Sequence, residues 1–355
     1  MMHGIHVWII GGALAFLSLP SGAGGTNCQV ETSTPGPEVG LIRHLGEGCT
    51  EQEREARAVD VAQLLKAFKE GKGIDLSGVV IRGDLSLDAL PVAKLPPELE
   101  GARDLQGFEA RVIPGSMKIV NSVVRGTIRH GSTEGLLVVK GPLSMTGSRF
   151  EQLVDLSRSI FIQPVTLSGA QFLRESYFVQ GRFLRGLDAE NTIFGPHTRF
   201  HRSVFQGPVT FRQSKFTGLA EFLEVAFEKD ADLSRSSFTL GTGFSGSRFQ
   251  GQADFSEATF SREAYFTFTL FDKDASFRGT TFRSTADFSD ASFKGRDDLA
   301  QARFDKSPEL TRTARVVSEP VPQVGESRAG LYAIAIAIAT VLALVIVYVI
   351  RPRTR

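Results

Sequence analysis

The chain has 355 residues, of which 42% are hydrophobic and 22% charged, with a formal net charge of +1. This composition excludes a disordered or polyionic chain. The charge balance gives no global electrostatic reason to expect nucleic acid as a partner.

Residues 1–23 read as a secretory signal peptide, with an apolar core over 7–19, then Pro20 and a Ser21-x-Ala23 cleavage pattern. The segment before the core carries His3 and His6 but no Lys or Arg. An uncleaved anchor is the alternative, although the core is short of the roughly 20 residues a span needs. Residues 24–50 are rich in Gly, Pro and Thr and hold both cysteines, Cys28 and Cys49. Two cysteines in an exported chain predict a disulfide, with two unpaired thiols as the alternative. They lack metal-site spacing, and no lipobox precedes Cys28. Residues 51–71 are expected to form one capping helix. Thr50 and Glu53 make a capping-box pattern, Val59, Ala62, Leu65 and Phe68 recur at helical spacing, and Gly71 ends it. Its expected role is to cover the open end of the repeats C-terminal to it.

Residues 72–149 carry a weak beat of five- and six-residue steps on Leu76, Ile81, Leu87 and Val92, then on Phe108, Ile113, Ile119 and Val124, then on Val139 and Met145. Two excursions, 93–107 and 125–137, read as loops inserted at corners. These loops and the turn near Ala189 are the first places to look for a specific binding site; tolerated insertions are the plain alternative.

From 150 to 304 the beat becomes strict. Every eleventh residue is Phe: Phe150, Phe161, Phe172, Phe183, Phe194, Phe205, Phe216, Phe227, Phe238, Phe249, Phe260, Phe271, Phe282, Phe293 and Phe304. A second series six residues later, Leu156 to Leu299, is also Leu or Phe except at Ala189. Helices and strands have no such period, so this is a repeat architecture. Two residues before each large side chain stands a small one, such as Ser203, Ser214 or Ala253. Side chains at i and i−2 of an extended segment share a face, so a large and a small residue per side fill a narrow interior. The residue between them points outward and is often Asp (Asp155, Asp188, Asp232, Asp254, Asp287). Gly207, Gly218, Gly251, Gly279 and Gly295 fall near corners, where a turn requires positive φ. Four sides of 5+6+5+6 residues give a coil of 22, each coil stacking at about 4.8 Å on the last.

The units Ala253-Asp254-Phe255-Ser256-Glu257 and Ala286-Asp287-Phe288-Ser289-Asp290 resemble the pentapeptide-repeat family, whose motif reads A-(D/N)-(L/F)-x-x. The resemblance implies an all-β solenoid, a right-handed quadrilateral β-helix. The extra residue in every second unit departs from the family's strict period of five and implies a bulged or differently shaped coil.

Residues 305–330 carry three prolines and no apolar period and read as a linker. Residues 331–350 are apolar apart from Thr340 and Tyr348 and are followed by Arg351, Arg353 and Arg355. They predict a single transmembrane helix with 351–355 as a cytoplasmic tail, which puts the solenoid on the extracytoplasmic side of the cytoplasmic membrane.

Nothing in the sequence resembles a catalytic constellation, a metal site or a cofactor cradle. His197 and His201 flank Phe200 and read as exposed corner residues rather than ligands. Phe268 falls outside the beat and is expected to point outward, as a contact residue or as an isolated exposed ring. The function expected is non-enzymatic: a membrane-tethered structural or protein-interaction scaffold, with an unknown protein partner and room for a homodimer through the C-terminal coil. Two alternatives stand beside it. Some pentapeptide-repeat proteins are similar to DNA in shape and charge and protect topoisomerases, but that requires an acidic surface and a cytoplasmic location, whereas 150–304 is near neutral. An exported carbohydrate-binding or carbohydrate-active β-helix is the other.

Overall fold

The computed structural model describes residues 28–31, 36–131, 135–316 and 320–321. The signal peptide predicted over 1–23 and the span predicted over 331–350 lie outside them. Among the described residues no helix is long and apolar enough to cross a membrane.

The chain winds as a β-solenoid whose two- to seven-residue strands build four sheets, three of eleven strands and one of nine. We call these faces one to four in the order the chain visits them. On face one Ala231 pairs with Ala253 and Ala275; on face two Phe216 pairs with Phe238 and Phe260. Face three carries Ala220, Thr242 and Ala264 in register, and face four Phe227, Phe249 and Phe271. Every one of these pairings is parallel and steps by 22 residues. The strict phenylalanine series therefore alternates between faces two and four, and the second series between faces three and one.

All fifteen phenylalanines of the strict series are buried, and so is every member of the second, Ala189 included. Rings one coil apart stack nearly flat: Phe238 on Phe260 at 4.7 Å and 2°, Phe244 on Phe266 at 5.0 Å and 9°. Rings on the opposite faces one and three meet edge-on across the interior, as Phe255 does with Phe266 at 5.4 Å and 87°. Both arrangements suit the aromatic quadrupole. The small residues preceding faces two and four are more than space savers. The Ser214 hydroxyl donates to the carbonyl of Ala189 at 2.5 Å and accepts from the amide of Thr192 at 3.1 Å, and Ser203 does the same with Phe178 and Gly181. Buried corner amides and carbonyls are satisfied in this way.

The corners are of two kinds. Two residues after each ladder position on faces one and three the backbone is left-handed, with φ between 54° and 70° at fourteen successive eleven-residue steps from Gly147 to Asp290. These are the five-residue corners, and ten of the fourteen are not glycine. The glycine expectation is corrected accordingly. Of the five named corner glycines only Gly279 has positive φ. Gly207, Gly218, Gly251 and Gly295 sit on six-residue corners stacked directly on the previous coil, where a Cβ would come within 2.4 Å of backbone atoms. There close approach, not chirality, requires glycine.

Several boundaries are corrected. The strand Val39–Leu45 already belongs to face one, parallel to Gly73–Ser77, so the stack begins inside the cysteine-bearing segment. The capping stretch is two helices, α1 (Glu51–Ala56) and α2 (Val61–Lys69), parted by Val59–Asp60, the first strand of face two, which pairs with Val80–Arg82. Asp60 opens a second capping box with Gln63, restarting the helix on a new axis. That shifts the buried side to Leu64, Ala67 and Phe68, leaving Ala62 exposed. Val92 and Phe108 are exposed and do not carry the beat; Val92 lies on an antiparallel edge strand beside Arg111. The 125–137 excursion contains a regular strand, Ile128–Arg129, with the buried His130 in the ladder position between Leu87 and Leu156. The predicted linker contains more of the stack: Glu309 bridges to Asp287, and Ala314–Arg315 pairs with Ser292–Phe293.

The 93–107 loop folds back over the outside of face four. Leu99 and Leu105 are buried there against Ala110, Leu136, Val138, Ile160 and Ile162 in a second, smaller core. Ion pairs from Lys140 to Glu98 and from Arg182 to Asp104 hold it.

Candidate functional site

A filled interior leaves the molecule only its outer faces and its two ends. On the faces, the 22-residue step places outward residues in vertical rows, and opposite charges meet along them. Arg202 makes a two-pronged contact with Glu224, Arg235 with Glu257, and Arg312 with Asp290. Lys294 and Arg248 grip Asp272 from both sides at 2.8 and 2.6 Å. Hydrogen bonds from these cations hold the carboxyls of Glu224, Asp272 and Asp290 below their ordinary pKa. The outward aspartates are also occupied: Asp188, Asp232, Asp254 and Asp287 each accept from the amide two residues on, at 2.8 to 3.0 Å, closing the corner.

Face three holds a polar group with several members around His197. His197 lies on a strand, not a corner; its Nε2 stands 3.0 Å from Glu221, whose carboxylate also accepts from Arg199 at 2.6 Å. The Arg199 guanidinium lies over the Tyr177 ring at 5.3 Å, and His197 meets the same ring edge-on. Burial pushes the Tyr177 hydroxyl above its ordinary pKa, against the pull of Arg199. His201 sits apart, 3.9 Å from Glu224. Among the described residues no group of His, Cys, Asp and Glu could hold a metal ion. His197 has a single carboxylate beside it and no nucleophile, so the cluster reads as a surface ion-pair network.

Further along face three and its corners, Leu219, Leu240, Tyr265 and Phe268 are exposed on three successive coils, Phe268 at 63%. The outward position of Phe268 agrees with its place off the beat, and its backbone is left-handed, at φ 57°. Leu219, Leu240 and Tyr265 are ordinary surface residues singly, and they stand in different 22-residue rows on successive coils. On face one, a shallow depression of about 430 Å³ lies between Pro164, Gly186 and Pro208, rimmed by Asp188, Asp230 and Asp232.

The two ends differ. At the N-terminal end Cys28 and Cys49 form a disulfide, Arg54 donates to the carbonyls of Cys49 and Gly46, and α2 adds Phe68 to the main core. At the C-terminal end the ladder position of face four is taken by Arg315, paired with Phe293 in register. It turns inward to Asp297, whose side chain is fully buried, with Nε 2.9 Å from a carboxylate oxygen. Val321, 22 residues after Leu299, is buried in the same core.

Continuous parallel coils around stacked rings define a β-solenoid repeat protein. The family model for pentapeptide repeats in nine copies matches residues 197–237 and 233–281, within the stretch where the stacking is most regular. This part of the chain is a pentapeptide-repeat solenoid of that family. It matches no curated protein and no solved structure.

Proposed function

We propose that this protein is a non-enzymatic scaffold, tethered by its C-terminal span to the cytoplasmic membrane and holding its solenoid on the extracytoplasmic side for a protein partner. The observation that carries the scaffold reading is the filled interior. Among the described residues the ring ladders fill the interior, and many of the outward carboxylates are engaged in ion pairs or corner hydrogen bonds. The tether and its direction rest on the sequence: the signal-like 1–23, the apolar 331–350 and the three arginines beyond it. The Cys28–Cys49 bridge supports an oxidising compartment, where such bonds persist. Rows of alternating charge suit neither a DNA mimic, which needs a uniformly negative surface, nor a polysaccharide-cleaving groove with free carboxylates. In this reading α1 and α2 close the N-terminal end of the stack.

Protease treatment of intact and permeabilised bacterial spheroplasts carrying the full chain tests this. Cleavage of the solenoid in intact spheroplasts, with the protein in the membrane fraction, is the expected result. Protection until permeabilisation would invert the topology, and recovery in the soluble fraction would remove the tether.

A further inference from the structure

The way the chain leaves the stack fixes which end is near the membrane. Residues 305–315 do not hang free; they complete the last coil, and Val321 is buried in the main core beyond it. Only nine residues, 322–330, then separate Val321 from the start of the predicted span. Fully extended, they reach about 30 Å. The stack is taller than that tether is long, since eleven strands per face at a spacing of about 4.8 Å give roughly 50 Å. The disulfide-closed end lies at the opposite pole, where the strands Val30–Glu31 and Val39–Leu45 form the first two rungs of face one.

We propose that the solenoid stands end-on to the bilayer, with the coil of Asp297 to Arg315 against the lipid headgroups and the Cys28–Cys49 cap farthest out. The proposal rests on the tethered reading above. Several cations of the lateral rows are matched to carboxylates, as in Arg202–Glu224, Arg235–Glu257 and Arg248–Asp272–Lys294, which lowers the pull of those rows on anionic headgroups. Headgroup attraction needs clustered, uncompensated Lys and Arg. The protein thus acts as a spacer that holds its cap, and any partner bound there, at a set height above the membrane.

The test uses the full chain in liposomes with energy transfer from a single fluorophore to acceptor-labelled lipid headgroups. The native cysteines are bridged, so a thiol dye reports an introduced site: Thr311→Cys in the last coil or Lys69→Cys at the end of α2, both exposed. Several-fold stronger transfer at position 311 than at 69 is expected. Equal transfer at both sites would mean that the solenoid lies flat, and stronger transfer at 69 would mean that it is inverted; either overturns the proposal. Failure to co-float with liposomes would sink the tether itself, and the orientation with it. Lys306→Cys and Glu70→Cys form a second pair should a first-choice variant fail to fold. Lengthening 322–330 with a flexible Gly/Ser insert should narrow the difference between the two sites.

Discussion

Phe222→Ala probes the middle of the ladder. Phe222 stacks on Phe200 at 5.3 Å and on Phe244 at 4.8 Å, and meets Phe211 and Phe216 edge-on at 5.4 and 5.7 Å. It is fully buried. Truncating a buried Phe costs about 3–5 kcal/mol. Four ring contacts, each contributing on the order of 0.5–1.5 kcal/mol beyond area burial, put this site at the upper end. Phe304 is the internal control, being 8% exposed and stacked on Phe282 at 5.0 Å, with no ring above it among the described residues. Its truncation should cost about 1–2 kcal/mol. Guanidinium unfolding followed by circular dichroism measures both as midpoint shifts at constant slope. If Phe304→Ala costs as much as Phe222→Ala, or if the latter costs under about 1 kcal/mol, stability does not reside in nearest-neighbour stacking.

Phe268→Gly should raise stability by about 1 kcal/mol, because a bulky residue held at φ 57° is relieved of left-handed strain; Gly279→Ala, at φ 69°, should lower it comparably. A melting curve moving the wrong way in either variant contradicts the corner assignment. Gly218→Ala, with φ negative, should still cost about 1–3 kcal/mol, since its Cβ would meet the Pro196 carbonyl at 1.8 Å; a neutral result would show that the corners can part freely. Ser214→Ala should cost about 0.5–1.5 kcal/mol, because it leaves the Thr192 amide and the Ala189 carbonyl with only their own 3.3 Å bond to each other, while Ser214→Thr should restore most of it, as Thr192 and Thr280 make the same carbonyl bond natively. Finally, the carboxyls of Glu224, Asp272 and Asp290 have depressed folded pKa values. Their contribution is present above the unfolded carboxylate value near pH 4 and is lost as pH falls through the lower folded values. Melting temperature should be level from neutral to about pH 5 and decline below pH 4; a rise on acidification would contradict the pairing.

Much of the fold was legible because phenylalanine marks the interior position openly, coil after coil. What hid the ends was polarity at that same position. His130 and Arg315 both stand where the beat asks for an apolar side chain, so one coil read as a loop and the final half-coil as a linker. The second core was written in the outward positions of face four, where Val138 and Ile160 replace the polar residues of later coils such as Arg182 and Arg248. A strand apolar on both sides is covered on both sides. The left-handed corners were not legible, since ten different chain positions accept that backbone without glycine, each at modest cost and in the open. Of the surface, the charged rows follow from the 22-residue step once the coil is known. The grouping of Leu219, Leu240, Tyr265 and Phe268 needed the coil as well.

A stack of interchangeable rungs contains no internal instruction to end, and its last rung is a ready template for another copy. The inward pair of Arg315 and Asp297 supplies that instruction. A second solenoid arriving at this pole would meet a desolvated ion pair where face four would otherwise offer a ring, although Phe304 on face two remains open among the described residues, and charges turned into a sheet's end are a known defence against edge-to-edge growth. A buried pair of this kind adds little net stability compared with an apolar core; what it contributes is a defined length. The number of rungs, and with it the height of the molecule, is thus set by punctuation at one end rather than by the repeat, and the repeat is free to gain or lose whole rungs behind it.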